Sequence, residues 1–406
     1  MKIKIFPSKL SGVVSAPPSK SMAHRHIIAA SLAKGSSTLK NIAFSDDINA
    51  TIDCINSLGG NITQTGDTLD VTGFDIFSAN PTQKLFVNES GSTLRFLIPL
   101  CLLTGKKITL YGKERLFSRP LEVYGNLCKE KGFYFEKGKD YLTLCGRLTA
   151  GKYQIPGNIS SQFITGLLFA LPLLEGDSSI EITGKAESLP YIQMTIQVLS
   201  EYGIKLNRKD NIIEIPGSQK YAPKNAYIEG DYSNAAFFDA LNLLGHNVTV
   251  TGLNENSLQG DKIYKEYLKL IGKTQLALDD CPDLAPILFA LGAEMGYGEF
   301  TGTRRLKLKE SDRGRAMAEE LEKFGATVEI YENRITVKAE GLHKPGETLK
   351  SHSDHRIVMS LSILCTKYGG EIEDIEAVNK SLPDFFEKLI QLGLTAEVES
   401  KNNENQ

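Results

Sequence analysis

Lys20, Arg25, Arg95 and Arg356 are cations placed where a cation is least at home. Each falls in a short polar cluster that runs into an apolar stretch, the pattern of a helix start. A helix start carries free backbone N–H groups and roughly half a positive charge. Cations there are unfavourable unless something negative neutralises them, so the pattern points to an anionic ligand. Six clusters share this form, each followed by an apolar run that a glycine stops. They are Lys20–Arg25 before Gly35, Glu89–Arg95 before Gly105, Ser160–Gln162 before Gly176, Asp231–Asn234 before Gly245, Pro282–Asp283 before Gly296, and Ser353–Arg356 before Gly369.

The side chains in these clusters suit anion recognition. Ser19 is placed to cap a helix in which Ser21 and Arg25, four apart, share a face with Lys20 at the lip. An ammonium, a hydroxyl and a guanidinium together match a carboxylate or phosphate. Ser160, Ser161 and Gln162 offer uncharged donors of the kind that hold a phosphate at a helix start. Ser90-Gly91-Ser92 puts a glycine where backbone must approach something closely, with Arg95 behind it. Residues 308–324 read as a further helix, in which Lys309 and Arg313 would share a face beside Glu310. Arg313 would then join Arg356 and Arg119 around a small, multiply charged anion, each with a planar fork for carboxylate. Asp283 follows a proline at the start of an apolar helix and serves either as a cap or as a base. Taken singly, each cluster also reads as ordinary capping; their recurrence favours binding.

Other signatures fail. Gly272-Lys273-Thr274 lacks the earlier glycine of a phosphate-binding loop, because position 267 is Tyr. His352 and His355 have the wrong companions for a zinc site. Neither a Gly-x-Ser-x-Gly nucleophile elbow nor a dinucleotide fingerprint is present.

A second motif positions the first. An amphipathic helix stopped by glycine leads into two short strands, as in residues 52–59 followed by Asn61-Ile-Thr and Thr68-Leu-Asp-Val71. It recurs around Gly132, Gly203, Gly325 and Gly393, and in weaker form around Gly272. Both motifs return at intervals of roughly 70 residues, beyond the usual solenoid periods. The chain thus reads as six helix–strand–helix–strand–strand units, three to a lobe. Breaks at Pro17-Pro18 and near residues 221–228 set one lobe at residues 19–228 and the other at 1–18 plus 229–406, with the two crossings as a hinge. Helix starts from both lobes would line a cleft between them.

Composition sets the class. A net charge of −3 argues against nucleic acid as partner, and no apolar run approaches the ~20 residues of a membrane span. The opening Met-Lys-Ile-Lys-Ile-Phe reads as a strand, too short for a signal-peptide core. Six scattered cysteines, with no Cys-x-x-Cys pair, read as buried thiols in a reducing cytoplasm. Residues 399–406 read as a disordered tail.

Taken in order, Pro-Ser-Lys20-Ser21-x3-Arg25, Ser90-Gly91-x3-Arg95, Arg119-Pro120, Ser160-Ser161-Gln162, Pro190-Tyr191, Pro282-Asp283, Lys309-Glu310-x2-Arg313, Asp354-His355-Arg356 and Lys380-x2-Pro-Asp384 span nearly the whole chain. This string resembles the enolpyruvylshikimate phosphate synthases. The resemblance implies an α/β, two-lobed enolpyruvyl transferase-like fold with buried helices whose N-termini face the interlobe cleft. It also implies transfer of the enolpyruvyl group of phosphoenolpyruvate to the 5-hydroxyl of shikimate 3-phosphate, with release of phosphate, a step of the shikimate pathway to aromatic amino acids. A cytoplasmic monomer with no metal or organic cofactor, no nucleic acid and no membrane partner is expected.

Carried over by position, Ser21 and Arg25 would hold the shikimate carboxylate, and Ser160, Ser161 and Ser188 its phosphate. Gln162, Tyr191, Asp283 and Lys309 would surround the ring, with Lys20 beside them. Phosphoenolpyruvate would meet Lys20, the Gly91 backbone, Arg119, Gln162, Arg313, Arg356 and Lys380. Asp283 is assigned as base on the hydroxyl and Glu310 as proton donor to carbon, with Lys20 able to share either role. Glu89 and Arg305 stand where many members have Asn, so contacts from those positions are left unassigned. Two other readings use the same residues. A sister transferase acting on UDP-N-acetylglucosamine usually carries a cysteine or aspartate just before the arginine matching Arg119, and residues 111–118 have neither. A non-catalytic sensor of phosphorylated acids should have lost Asp283 or Glu310, and both are present.

Overall fold

Ser19, Ser45, Ser90, Ser160, Asp231, Asp312 and Asp354 each turn a side-chain oxygen onto a backbone N–H two or three residues ahead. That satisfies one of the donors a helix start leaves open, and a helix follows each of them. The computed structural model describes residues 1–399; of the tail expected at 399–406, Glu399 instead ends the strand Thr395–Glu399, and the rest lies outside the described residues. By internal contacts the chain divides into two compact units, Pro18–Glu229 and Met1–Pro17 with Gly230–Gln406.

In the unit Pro18–Glu229 the helices are α1 (Lys20–Leu32), α2 (Asp46–Leu58), α3 (Gly91–Leu103), α4 (Glu114–Ser118), α5 (Glu122–Lys131), α6 (Ser161–Ala170) and α7 (Leu189–Glu201). In the other unit they are α8 (Tyr232–Ala240), α9 (Tyr264–Leu270), α10 (Ala285–Glu294), α11 (Arg313–Glu322), α12 (His355–Tyr368) and α13 (Phe385–Gln391). Residues Met22–Leu32 of α1 are buried, as are nearly all of α3, α10 and α12. A helix apolar on every side belongs inside a core. The two hydrophobic cores, one in each unit, have no residue in common.

Sheets cover these helices. In the unit Pro18–Glu229, strands Ser36–Lys40, Asn61–Thr65 and Thr68–Thr72 form an antiparallel set that Ala226–Tyr227 joins in parallel. The same four-strand order repeats with Lys84–Asn88, Ile108–Gly112, Tyr141–Cys145 and Tyr134–Lys137, and again with Lys152–Pro156, Ser178–Thr183, Ile212–Ile215 and Asn207–Lys209. The other unit has one such sheet, Gln275–Ala277, Tyr297–Thr301, Arg334–Lys338 and Thr327–Ile330. Its remaining sheets have three and two strands, and residues 1–17 supply one strand to each. Lys2–Phe6 pairs antiparallel between Gly370–Glu373 and Thr395–Glu399, and Ser11–Ser15 runs parallel to Asn247–Thr251.

Three expectations need correction. The repeat is complete in four sheets of the described residues, and the stretch after Gly272 leads directly into Gln275–Ala277 with no hairpin of its own. Lys309 is not on a helix: residues Arg304–Leu308 form a 3-10 turn, Lys309 is extended, and Asp312 caps α11, which ends at Glu322. A strong cap at Asp312 outcompetes the helical spacing of Lys309 and Arg313. Glycine does not end every buried helix directly. Ala33 in extended conformation closes α1, and α6 passes into the turn Leu171–Leu173 before Gly176.

Candidate active site

In the unit Pro18–Glu229, the starts of α1, α3, α6 and α7 carry the predicted groups. Lys20, the first residue of α1, puts Nζ 2.9 Å from Oδ2 of Asp47, a first-turn residue of α2. Arg25 is buried one turn further on. Its Nη1 donates to the Ser21 carbonyl at 2.7 Å, Nη2 to the Tyr191 carbonyl at 3.0 Å and Nε to Thr195 Oγ1 at 2.9 Å. All three acceptors are neutral. Burial accordingly lowers the guanidinium to about 10, and no carboxylate among the described residues hydrogen-bonds it. A buried cation held only by neutral oxygens is a site for an added anion.

Gly91 begins α3 with Ser90 as its cap. A Cβ on Gly91 would stand 2.9 Å from Nη1 of both Arg119 and Arg95, so two guanidinium groups converge on this helix start. Arg119 reaches it from the end of α4. Arg95 Nη1 donates to Gln162 Oε1 at 3.0 Å, and Gln162 Nε2 donates to Ser92 Oγ at 3.0 Å, which ties α6 to α3. Ser160 caps α6 through the Gln162 N–H, with Ser161 the first residue of that helix. Ser188 precedes α7 in a left-handed conformation, φ 58°, and its hydroxyl does not cap the helix. Tyr191 lies in the first turn of α7.

In the other unit, Asp283, Lys309, Glu310, Arg313 and Arg356 form one ion cluster. Asp283 Oδ1 accepts from Arg313 Nη1 at 2.8 Å and from Lys309 Nζ at 3.4 Å, and its Oδ2 accepts from Arg356 Nη2 at 3.2 Å. Arg313 also donates Nη2 to Glu310 Oε2 and Nε to Asp354 Oδ2, both at 2.9 Å. Arg356 Nη2 donates to Ser233 Oγ at 2.8 Å, and Ser233 Oγ donates to Asp231 Oδ1 at 2.6 Å. Lys380 is buried at the end of the turn Ile375–Lys380, and Arg305 donates Nη2 to the Asp279 carbonyl at 2.7 Å.

Charge sets the protonation of this cluster. Burial disfavours ionised Asp283, but Arg356, Lys309 and Arg313 prevail and hold its carboxyl well below the ordinary range, with Glu310 opposing them. Burial also opposes ionisation of Asp354, yet Arg313 brings it down to about 2. A carboxyl lowered on folding stabilises the folded chain above its unfolded value of 3.8, and that stabilisation is lost as pH falls towards 2. For Asp354 the loss is on the order of 2 kcal/mol. Urea midpoints measured from pH 5 to 2 should therefore fall more steeply in the wild-type protein than in Asp354→Asn. Parallel curves would count against the buried pair.

The sequence reading misses three groups. Asp47 looks like an ordinary first-turn acid, Asp354 like a plain cap, and Ser233 like part of a capping run. Their partners are distant in sequence, so local spacing gives no sign of them. The histidines are separate: His352 faces Glu320, while His355 Nδ1 lies 3.7 Å from Asp354. Burial pushes the Cys54 and Cys128 thiols up to about 12, which leaves both protonated and unreactive at neutral pH.

A family model described as EPSP synthase (3-phosphoshikimate 1-carboxyvinyltransferase) matches residues 6–280 and 273–389. The chain belongs to the EPSP synthase family. It is 40% identical over 416 residues to the 3-phosphoshikimate 1-carboxyvinyltransferase of Clostridium kluyveri, across 96% of this chain and 97% of that relative. Identity to the enzyme of the same name from Clostridioides difficile is 38% over 429 residues, across 96% and 97%. Among solved structures, the EPSP synthase of Acinetobacter baumannii matches with a TM-score of 0.81 at 23% identity, over 98% of this chain and 100% of that one. The enolpyruvyl transferase NikO from Streptomyces tendae matches with a TM-score of 0.75 at 16% identity, over 98% of each chain. At these identities the two structures bear on the fold alone, which is that of the EPSP synthases and enolpyruvyl transferases. No helix of the described residues is long and apolar enough to cross a membrane.

Proposed function

We propose that this protein is a 3-phosphoshikimate 1-carboxyvinyltransferase, transferring the enolpyruvyl group of phosphoenolpyruvate to the 5-hydroxyl of shikimate 3-phosphate. The observation that carries this reading is the convergence of Arg119 and Arg95 on the Gly91 helix start, where two guanidinium groups and a helix N-terminus together suit a multiply charged anion. Phosphoenolpyruvate is such an anion. In this assignment it takes Lys20, the Gly91 backbone, Arg119, Gln162, Arg313, Arg356 and Lys380. Shikimate 3-phosphate takes Ser21 and Arg25 at its carboxylate, Ser160, Ser161 and Ser188 at its phosphate, and Gln162, Tyr191, Asp283 and Lys309 around its ring. Arg25, held only by neutral oxygens, supports the carboxylate assignment.

Addition and then elimination, each with its own proton transfers, make up the proposed reaction. Asp283 takes the proton of the 5-hydroxyl as its oxygen bonds to C2 of the enol, and Glu310 gives a proton to the methylene carbon. The tetrahedral adduct then returns a proton from that methyl carbon to Glu310 as the C2–O bond to phosphate breaks, restoring the vinyl group, and the proton held by Asp283 leaves with the phosphate. Cations around the bridging oxygen stabilise the departing phosphate. In the free protein Asp283 is a weak base, because Arg356, Lys309 and Arg313 hold it ionised. An anion that draws Arg313 and Arg356 to itself weakens that hold and raises the basicity of Asp283, so the base is strengthened when substrate is present. Five of the six cysteines are buried, Cys145 only in part, and none forms a disulfide, which suits a reducing cytoplasm, where we place the enzyme.

Phosphate release from phosphoenolpyruvate is expected with shikimate 3-phosphate as acceptor and not with UDP-N-acetylglucosamine. The segment before Arg119, a strand end and the short helix α4, holds neither cysteine nor aspartate. Comparable turnover of the nucleotide sugar would overturn the assignment.

A further inference from the structure

Glu320 lies fully buried on α11, two turns beyond Arg313 and on the same face. Its Oε1 accepts from His352 Nε2 at 2.9 Å, and its Oε2 accepts from the Lys350 N–H at 2.9 Å and from Lys323 Nζ at 2.8 Å. The segment it grips contains two consecutive left-handed residues, His352 at φ 49° and Ser353 at φ 53°. Neither is glycine, and side chains disfavour that conformation, so two in a row persist only where surrounding contacts impose them. The next residue is Asp354, completely buried, whose carboxylate accepts from Ser311 Oγ, Arg313 Nε and the Arg356 N–H. One helix therefore grips both ends of a strained bend, through Arg313 at Asp354 and through Glu320 at His352.

We propose that Glu320 and His352 are positioning residues: their contact holds the 352–353 bend, and the bend sets Asp354 so that Arg313 and Arg356 point at one ligand. This rests on the reading of those arginines as phosphoenolpyruvate ligands. Neither Glu320 nor His352 needs to touch substrate. Glu320 also neutralises Lys323, so its removal endangers folding; His352, with a partly exposed side chain, is the less disruptive of the two to alter. Ser353 is exposed, and glycine there accepts φ near 53° without strain.

The test compares wild type with His352→Ala, His352→Gln and the double variant His352→Ala/Ser353→Gly. In His352→Ala the KM for phosphoenolpyruvate should rise about tenfold, with kcat and the KM for shikimate 3-phosphate within about twofold of wild type. Exchange of the Arg356 amide with deuterium should quicken by about tenfold or more as its bond to Asp354 loosens. Glycine at 353 should restore both, and His352→Gln, which keeps a donor for Glu320, should resemble wild type. The proposal is overturned by unchanged KM and exchange in His352→Ala, by equal loss for both substrates, or by no recovery in the double variant. The exchange arm needs no substrate. If wild type lacks transferase activity, the functional reading fails while exchange at Arg356 still decides the latch.

Discussion

Asp283→Asn and Glu310→Gln are expected to lower turnover by roughly two to four orders of magnitude, the usual worth of positioned acid–base groups. The structure adds a sign for binding. Asp283 competes with any incoming anion for Arg313 and Arg356, so its amide should leave phosphoenolpyruvate affinity unchanged or tighter. Glu310 holds one nitrogen of Arg313, and Gln keeps an oxygen acceptor there, so affinity in Glu310→Gln should move little. The two lesions should also differ in kind. Loss of Glu310 should suppress entry of solvent deuterium into the methylene of phosphoenolpyruvate, whereas loss of Asp283 should slow addition of the acceptor. Rapid-quench kinetics and calorimetry read these separately. Turnover near that of wild type in either variant removes that residue from the proton transfers and passes its role to Lys20.

Arg313→Ala and Arg356→Ala should each weaken phosphoenolpyruvate binding about ten- to a hundredfold, the worth of one charge-assisted contact. Shikimate 3-phosphate binding should change far less. In stability the two should part company. Arg313 is the ion partner of Asp354, a carboxylate with no exposure, and its removal strands that charge in the interior at a cost of about 3–5 kcal/mol. Arg356 pairs with Asp283, which keeps Arg313 and Lys309 when Arg356 is gone, so its loss should cost far less. Denaturant midpoints of the two variants are the measurement. Equal destabilisation would mean that Asp354 does not depend on Arg313, and equal weakening of both substrates would mean the cations serve a different ligand.

The helix starts were legible because capping is local: Ser19, Ser90, Ser160 and Asp354 announce themselves within three residues of the donor they satisfy. Helices such as α3 and α10 were legible as core because their sequences offer no polar face. Lys309 marks where local reasoning fails. Its spacing from Arg313 fits a helix, yet Asp312 starts the helix later, and the two cations meet at Asp283 through the fold instead. Asp47 beside Lys20 and Asp354 beside Arg313 were invisible for a related reason. A carboxylate in a first turn is already explained by its own helix, so nothing in the sequence marks it as the partner of a distant cation.

Lys2–Phe6 has a consequence for how the chain is made. In the folded protein Lys2 sits opposite Glu399, so this strand is made long before the partner that closes its sheet. At roughly 5–20 residues per second this strand waits on the order of tens of seconds for that partner. The unit Pro18–Glu229 closes its sheets with strands from its own span and is free to condense during that interval. Throughout the wait Lys2–Phe6 is an open edge. Its alternation of Lys2 and Lys4 with Ile3 and Ile5 lays charge along one face of that edge, which discourages two half-made chains on one message from pairing with each other before their own partner strands arrive.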